Sequence, residues 1–281
     1  MEGKVCLVTG ANAGIGKETC FALAEKGAEV VLTARNHQQA AQVRSKIISE
    51  TGNPNIHLIA ADLSSFQEVV KLSEEFRARF DRLDVLINNA GIFLTEYHQT
   101  SEGHETQWMV NYLAHYVLTR RLLDLLKVSD YARVINVSSN AHLKGRINFE
   151  DLNGKKNYNG LQAYAQSKLA NLLFTKELAA RQMGAGISSY ALHPGVVNTG
   201  IGNKNNNSWM SWIWRLGKPF MISPAKGAAT IVHLASTPNL AGLSGLYFVN
   251  SQPYPSSDLS TDGLLASRLW DVTEKSVKDY L

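Results

Sequence analysis

A glycine-rich turn directly after the first apolar run constrains the fold more than any other feature of the chain. The turn extends from Thr9 to Gly16, with the sequence TGANAGIG, and it joins the apolar run Lys4–Thr9 to the helical pattern Ile15–Lys26. Glycines permit a tight turn, and the first N–H groups of a helix attract an anion. The turn therefore predicts a dinucleotide pyrophosphate site, although its Gly-x3-Gly-x-Gly spacing differs from the general Gly-x-Gly-x-x-Gly fingerprint.

Short apolar runs alternate with helical patterns along the rest of the chain. The predicted strands are Lys4–Thr9, Glu29–Thr33, Ile56–Ala61, Asp84–Asn88, Arg133–Val137, Ile187–Leu192 and Leu246–Val249. The predicted helices are Ile15–Lys26, His37–Thr51, one opened by a capping box of Ser65 and Glu68, one over residues 105–126, Leu161–Met183 and Pro224–Ala235. The strands are rich in Val, Ile and Leu without alternation, which is typical of parallel strands buried on both faces. We therefore predict an α/β fold: a single doubly wound Rossmann-type domain over residues 1–281, with an approximately seven-stranded parallel sheet and helices on both faces.

Two segments depart from this alternation. Residues 140–160 form a polar insertion after the fifth strand, and residues 195–223 form a long loop. Loops of this length inside a compact domain are usually lids or binding loops, so we predict that 195–223 is a substrate loop. Its apolar cluster, Trp209–Ile222, has three interpretations: a lid over the substrate, a peripheral contact with a membrane surface, or a subunit or core contact.

Composition and charge exclude several classes of protein. A net charge of +4, spread along the chain, is too weak for a nucleic-acid binder. Cys6 and Cys20 have no CxxC or histidine pairing, so we expect two buried thiols and no metal site. There is no apolar run near the roughly 18 residues of a membrane span and no signal-peptide pattern. We therefore expect a cytoplasmic protein; the alternative is peripheral attachment to an intracellular membrane, because a chain without its natural anchor would look the same.

The end of the second strand distinguishes between the two nicotinamide dinucleotides. An acidic residue there binds the ribose hydroxyls of NAD, whereas an arginine binds the 2′-phosphate of NADP. The segment from Leu32 to Asn36 contains no acid and one arginine, Arg35. We predict that Arg35 binds the 2′-phosphate of NADP(H), with Lys17 as a second cation. The alternative is a solvated surface arginine.

Four side chains are candidates for the chemistry. Tyr164 and Lys168 are four residues apart in a helical pattern, so they share one helix face. A phenol with a pKa near 10 is a poor base at neutral pH, and a nearby ammonium lowers that pKa. Ser138 and Ser139 end the fifth strand, where a hydroxyl can hold a substrate carbonyl oxygen. Asn111, in the long helix, is the fourth candidate; its alternative is an amide on the helix surface.

Taken together, these segments resemble the short-chain dehydrogenase/reductase family over almost the whole chain. The matching segments are Thr9–Gly16, Asp62-Leu63, Asn88–Gly91, Asn111, Asn136–Ser139, Tyr164–Lys168 and His193–Thr199. The resemblance implies that Tyr164 is the proton donor and acceptor, and that Ser139 rather than Ser138 orients the carbonyl. It implies that Lys168 binds the nicotinamide ribose and tunes the phenol, and that Asn111 anchors a proton-relay water.

The expected NADP(H) contacts extend over the whole carboxyl edge of the sheet. They are Gly10, Asn12, Gly14, Ile15, Gly16, Arg35, Asp62, Leu63, Asn89, Ala90, Gly91, Tyr164, Lys168, Pro194, Gly195, Val197 and Thr199. By resemblance, Asp62 contacts adenine, Asn89 supports the pocket, and Val197 and Thr199 hold the carboxamide. His193 and His142 are expected to be structural and loop residues rather than bases.

The length of the insertion indicates a branch of the family. Ser139 and Tyr164 are 25 positions apart (164 − 139), whereas most members of the family have about half that separation. The segments Phe149–Leu152, Ala163–Asn171, Ser223–Ala228 and Arg268–Trp270 resemble the retinol dehydrogenase-like branch. That resemblance implies NADP(H) and a hydrophobic small-molecule substrate such as a retinoid, another long aldehyde or a steroid. Family habit also implies a homodimer.

Three functions are compatible with such a fold. The first is an oxidoreductase that interconverts a hydrophobic carbonyl compound and its alcohol. The second is a regulatory NADP(H)-binding protein without turnover, which the fold alone leaves open. The third is a sugar-nucleotide epimerase or dehydratase on a related fold; the glycine spacing, the length and the lack of a separate substrate domain count against it. The combined catalytic set favours the enzyme, because a binder has no use for it.

Overall fold

One sheet organises the part of the chain that a computed structural model describes, residues 1–195 and 222–281. Its strands are β1 Val5–Thr9, β2 Glu29–Ala34, β3 Ile56–Ala60, β4 Val85–Asn88, β5 Arg133–Val137, β6 Ser188–His193, β7 Tyr247–Val249 and β8 Gln252–Pro253. Within the described ranges the order is β3-β2-β1-β4-β5-β6-β7-β8, with β1 to β7 parallel. The predicted parallel sheet is confirmed. The short antiparallel β8 adds to it, because Asn250 and Ser251 both adopt positive φ and reverse the chain in a two-residue hairpin.

The helices connect these strands. They are α1 Gly14–Glu25, α2 His37–Thr51, α3 Phe66–Arg79, α4 Thr106–Trp108, α5 Ala114–Arg121, α6 Leu123–Lys127, α7 Gly160–Arg181, α8 Pro224–Ser236, α9 Asp258–Thr261 and α10 Gly263–Val277. A π-helical segment, Met109–Leu113, joins α4 to α5. Short 3-10 helices occupy Asn140–Lys144, Ala241–Leu243 and Lys278–Tyr280. The single helix predicted over residues 105–126 is therefore a succession of α4, the π-helical segment, α5 and α6.

The sheet is packed on both faces, as a doubly wound fold requires. Along β1, Leu7 belongs to the core under α3, α5, α7 and α10, whereas Cys6 and Val8 belong to the core under α1 and α8. Each of these three side chains is completely buried. Cys6 and Cys20 are free thiols, as predicted, and burial raises the pKa of both.

The start of α3 differs from the predicted capping box. Ser65 is the N-cap residue, but its hydroxyl donates to Glu102 Oε1 at 2.9 Å. The same oxygen accepts the N–H of Phe66 at 3.1 Å, while Glu68 pairs with Lys71. The predicted Ser65–Glu68 box is therefore wrong, because a carboxylate from the loop before α4 occupies the helix N-terminus.

The C-terminal helix α10 covers the outer faces of α5 and α7. Trp270 stacks on Phe174 with ring centroids 5.7 Å apart, and Tyr116 approaches the same indole edge-on at 5.0 Å. The Arg268 guanidinium lies 4.0 Å from the ring centroid of Phe149, so α10 also holds the 140–160 insertion. Among the described residues, no helix combines the length and the apolarity that crossing a membrane requires.

Candidate active site

The strand order reverses at β1, which lies between β2 and β4. In open parallel sheets, ligands bind in the crevice outside the carboxyl ends of the strands at such a switch point. The glycine turn follows β1, Asn89–Gly91 follows β4, and Ser139 follows β5. The topology therefore brings three of the predicted segments to one edge.

The glycine turn is shaped by close backbone contacts. Gly10 has φ +67°, and a Cβ there would lie 2.9 Å from Cα of Ala90. A Cβ on Gly16 would collide with the Gly10 carbonyl oxygen and the Asn89 side chain. Helix α1 has Ala13 as its N-cap residue, no side-chain cap and no acid in its first turn. Its first N–H groups are therefore left to an anion, and the positive end of the helix dipole lies there.

Thr9 fixes the turn after β4 against the glycine turn. Its Oγ1 accepts the N–H groups of Asn89 and Ala90, both at 2.9 Å. The Asn89 Nδ2 donates to the Thr9 carbonyl at 2.7 Å. A Cβ on Gly91 would lie 3.3 Å from Lys168 Nζ, so the backbone there passes close to the Lys168 ammonium. Asn89 thus supports the pocket by holding its two turns together.

A second group of predicted cofactor residues lies beyond the ends of β2 and β3. The Arg35 side chain is 77% exposed, and its Nη1 lies 3.7 Å from Asp62 Oδ2. Asp62 Oδ1 is held by the N–H and the hydroxyl of Ser64 at 2.9 and 2.8 Å. Asn12 Nδ2 donates to Gln39 Oε1 at 3.2 Å. Arg35 is therefore beside the residue that the resemblance places at adenine, with a guanidinium accessible to a phosphate.

The remaining predicted cofactor residues near this edge are Ile15 and Leu63, which have apolar surroundings, and Lys17, the second suggested cation. Ile15 and Leu63 are buried in the core clusters, so a cofactor would meet their backbone rather than their side-chain tips. Lys17 Nζ lies 3.4 Å from the neighbouring Glu18. Arg35 is also paired, but its side chain is 77% exposed against 29% for Lys17, so it is the more accessible of the two cations suggested for the 2′-phosphate.

Tyr164 and Lys168 lie on one face of α7. The Lys168 Nζ is 5.5 Å from the centroid of the Tyr164 ring and donates to the Val137 carbonyl at 3.1 Å. Burial lowers the pKa of Lys168 to about 8. Burial also raises the pKa of Tyr164, while a hydrogen bond with Ser139 opposes that rise. The phenol therefore stays protonated at neutral pH, with the Lys168 ammonium beside it.

The two serines at the end of β5 have different partners. Ser138 is buried, and its hydroxyl donates to the Lys168 carbonyl at 2.7 Å. Ser139 is only half-buried, and its Oγ accepts the N–H of Ala141 at 3.2 Å, which leaves the hydroxyl proton available. The geometry favours Ser139 as the group that faces Tyr164.

Asn111 lies in the π-helical segment and is completely buried, which contradicts the alternative of a surface amide. Its Oδ1 accepts the N–H of Ile92 at 2.8 Å, and its Nδ2 donates to the Ile92 carbonyl and to Ser167 Oγ, each at 3.0 Å. The side chain thereby ties the loop after Gly91 to α7. The amide is bonded at both ends, and the backbone carbonyl of Asn111 lies 3.2 Å from His115 Nδ1, so the relay water expected at Asn111 stays a prediction.

The histidines near the site are buried and neutral. His142 Nδ1 lies 2.7 Å from the Ser139 carbonyl oxygen, and its Nε2 accepts the N–H of Ser257 at 3.3 Å. Burial lowers the pKa of His193 to about 4. A third, His115, was not singled out in the sequence, although its spacing of four from Asn111 places the two residues on one helix face.

The 140–160 insertion is joined to the loop after β4 by a second polar network. The Tyr158 hydroxyl donates to Glu105 Oε1 at 2.9 Å and accepts from Gln107 Nε2 at 2.8 Å. Gln107 also accepts the N–H of Leu94 at 3.1 Å. Burial raises the pKa of Glu105. The insertion therefore braces the wall of the site, which sequence reasoning did not anticipate because these partners are distant in sequence.

The first described range of the chain ends two residues after β6. Pro194 and Gly195 follow β6, and Gly195 has φ +90°. The predicted contacts Val197 and Thr199 lie outside the described residues, as do residues 209–221 of the apolar cluster. In the ranges 1–195 and 222–281, no group of three His, Cys, Asp or Glu side chains could hold a metal ion.

Comparison with known proteins gives consistent matches. The family described as short chain dehydrogenase matches residues 4–210. Retinol dehydrogenase 12 from Mus musculus is 44% identical over 97% of this chain and 86% of its own length. Retinol dehydrogenase 11 from Homo sapiens is 42% identical over 97% of this chain and 85% of its own length.

Solved structures agree with these matches. A Mycobacterium paratuberculosis protein has a TM-score of 0.78 at 30% identity, with 99% of this chain and 94% of that one covered. A Shigella flexneri short chain dehydrogenase complexed with NADP has a TM-score of 0.71 at 25% identity, with 90% and 98% covered. The resemblance predicted from the sequence, including the retinol dehydrogenase-like branch, is confirmed.

Proposed function

Because the chain belongs to the short-chain dehydrogenase family, a family of oxidoreductases, we propose that it interconverts a hydrophobic aldehyde or ketone and its alcohol with NADP(H). The substrate class is a retinoid, a lipid aldehyde or a steroid. The observation that carries the proposal is the convergence of Ser139, Tyr164 and Lys168 at the carboxyl edge, next to an uncapped helix N-terminus. The 44% and 42% identity to retinol dehydrogenases supports the retinoid class.

Each residue of the set has one task in carbonyl reduction. The Ser139 hydroxyl donates a hydrogen bond to the carbonyl oxygen and fixes it beside the phenol. Tyr164 then gives its proton to that oxygen, and Lys168 stabilises the phenolate that remains. When bound, the reduced nicotinamide supplies the hydride for the carbonyl carbon. Alcohol oxidation reverses the proton transfer, with the Tyr164 phenolate as the base.

The residues present fit a bound NADP(H). The free N–H groups at Gly14 to Gly16 suit the pyrophosphate, since α1 has neither a side-chain cap nor a nearby acid. Arg35 suits the 2′-phosphate because its guanidinium is exposed and can form two parallel hydrogen bonds. Arg35 would exchange its 3.7 Å ion pair with Asp62 for the more highly charged phosphate. A solved relative in complex with NADP supports the same cofactor.

A hydrophobic substrate needs apolar side chains beside the phenol. Phe93 contacts the Tyr164 ring edge-on at 5.5 Å and supplies an apolar wall beside the phenol. The Trp209–Ile222 cluster suits a lid over a lipophilic molecule, and its tryptophans also suit a membrane surface from which such a molecule is taken. Homodimer formation remains a family-based expectation.

A carbonyl panel tests the proposal. Purified protein is mixed with NADPH and, separately, retinal, a long aliphatic aldehyde, a steroid ketone and a small polar ketone, with NADH in parallel. We expect NADPH oxidation with lipophilic members of the panel, and weaker activity with NADH. NADPH binding without turnover of any member would contradict the enzyme and favour the regulatory binder.

A further inference from the structure

The imidazole of His115 joins two parts of the site that are far apart in sequence. The ring is buried at 2% exposure in α5, one turn after Asn111. Its Nδ1 lies 3.2 Å from the Asn111 carbonyl oxygen, and its Nε2 lies 3.1 Å from Thr9 Oγ1. Thr9 ends β1 and holds the turn after β4, whereas Asn111 holds the loop after Gly91 and the Ser167 hydroxyl on α7.

The partners of the ring determine where its proton lies. A carbonyl oxygen can only accept, so Nδ1 must carry the hydrogen that faces Asn111. Thr9 Oγ1 already accepts two N–H groups, from Asn89 and Ala90, which occupy both of its lone pairs. Its own hydrogen must therefore point outward, and His115 Nε2 at 3.1 Å is a closer acceptor than the Ile87 carbonyl at 3.3 Å.

These hydrogen bonds leave no acceptor for the second N–H of a protonated His115 ring. An imidazolium would turn a second N–H toward Thr9 Oγ1, which has no lone pair left for it. Burial, helped by the nearby Lys168 ammonium, lowers the pKa of His115 to about 3. The imidazole is therefore a neutral connector with one donor end and one acceptor end.

We propose that His115 is a positioning residue of the dehydrogenase site, fixed in the Nδ1–H tautomer. Its acceptor end holds the Thr9 hydroxyl, and through Thr9 the Asn89–Gly91 turn on the cofactor side. Its donor end holds the carbonyl of Asn111, and through Asn111 the loop and helix on the catalytic side. The proposal rests on the proposed function for its kinetic consequences, but the tautomer and its effect on nucleotide affinity do not depend on turnover.

Two substitutions separate the two ends of the ring. His115→Gln can keep an acceptor near the position of Nε2 and lose the donor to Asn111. His115→Asn can keep a donor near the position of Nδ1 and lose the acceptor for Thr9. Each lost neutral hydrogen bond of about 1.4 kcal/mol corresponds to roughly tenfold in an equilibrium or rate constant.

We expect the two variants to differ in which constant changes. His115→Gln should lower kcat roughly tenfold and leave the dissociation constant of NADPH within about twofold. His115→Asn should weaken NADPH binding roughly tenfold and keep kcat at saturating cofactor. NADPH binding is measured by fluorescence titration, and His104→Asn, a half-buried histidine outside this network, is the control. Equal losses of both constants in the two variants, or a change in melting temperature alone, would overturn the positioning role.

A nucleotide-free measurement tests the tautomer directly. In long-range proton–nitrogen correlation spectra of the folded protein, the signal that disappears in His115→Leu identifies this ring. We expect a protonated Nδ1 and an unprotonated Nε2, without titration between about pH 5 and 8. An Nε2–H tautomer, or titration in that range, would overturn the proposal. If the protein turned over no carbonyl at all, the spectrum and the NADPH affinities would still decide it, so the two failures are distinguishable.

Discussion

Removing the Lys168 ammonium should affect the two directions of the reaction unequally. Its Nζ lies 5.5 Å from the Tyr164 ring centroid; Lys168 is buried and Tyr164 is half-buried. With an effective dielectric constant of about 20, an ion pair at this separation is worth about 3 kcal/mol. Lys168→Met should therefore lower the phenolate population at a given pH by about a hundredfold. Alcohol oxidation needs the phenolate and should fall by that factor, whereas reduction starts from the phenol and should lose less.

The same substitution should stabilise the folded protein. Burial depresses the pKa of Lys168 from 10.5 to about 8, so the folded state resists the charge. The penalty is fully present below about pH 8 and is relieved as the pH rises toward 10.5, and it amounts to roughly 3 kcal/mol at neutral pH. The loss of its bond to the Val137 carbonyl is softened because Asn171 Nδ2 donates to the same oxygen at 3.2 Å.

The assay compares wild type, Lys168→Met and Lys168→Arg. Oxidation and reduction are followed at saturating NADP⁺ or NADPH, so that weaker ribose binding does not enter kcat, and urea unfolding is measured at pH 7. We expect the methionine variant to be slow in oxidation yet harder to unfold, with arginine restoring part of the oxidation rate through its charge. Equal loss in both directions, together with reduced stability, would refute this electrostatic account.

Further predictions concern four single groups. Arg35→Glu should weaken NADPH binding by roughly 10- to 100-fold, as expected for the loss of charge-assisted hydrogen bonds, and leave NADH binding unchanged. Fluorescence titrations measure both affinities, with Lys46→Glu at an exposed lysine as the control. An equal loss of affinity for both cofactors would contradict the prediction. Ser139→Ala should lower kcat by about a hundredfold with little change in melting temperature. Ser138→Ala should do the reverse and cost about 0.5–1.5 kcal/mol of stability, because it removes one buried hydrogen bond; a kinetic defect as large as that of Ser139→Ala would contradict the assignment. His115 stays neutral in the folded protein but is protonated in the unfolded chain below about pH 6.5. Between about pH 6.5 and 4 it should therefore lower the free energy of unfolding by up to about 1.4 kcal/mol per pH unit. His115→Leu should reduce this pH dependence, measured by urea unfolding.

The features predicted correctly from the sequence depend on residues that are close together along the chain. The strand after Met1, the glycine turn and the start of α1 follow from consecutive residues, because backbone freedom and a free helix N-terminus are local properties. Tyr164 and Lys168 share a face through helix periodicity alone. The choice of Ser139 came from resemblance, and the partners of Ser138 supply its physical reason.

Most features that the sequence did not predict depend on distant partners. Apolar periodicity runs continuously through residues 105–126 and cannot indicate the π-helical segment, whose Asn111 is held by the loop at Ile92. Glu102 replaces the local capping box of α3 from 37 positions away, and His115 meets Thr9 across 106 positions. Helix α10 was not predicted either, although its signal is local: its buried positions recur at helical spacing after Asp262, whose side chain caps the helix.

In the proposed mechanism, the Tyr164 hydroxyl delivers the proton to a carbonyl oxygen. A single-turnover experiment with retinal and excess NADPH-loaded protein tests it, with retinol quantified by chromatography. Tyr164→Phe removes only that hydroxyl, and Tyr254→Phe, at an exposed tyrosine, is the matched control. We expect wild type and Tyr254→Phe to form retinol and Tyr164→Phe to bind NADPH normally while forming it at least about a hundredfold more slowly. Retinol formation by Tyr164→Phe at the wild-type rate would contradict the account.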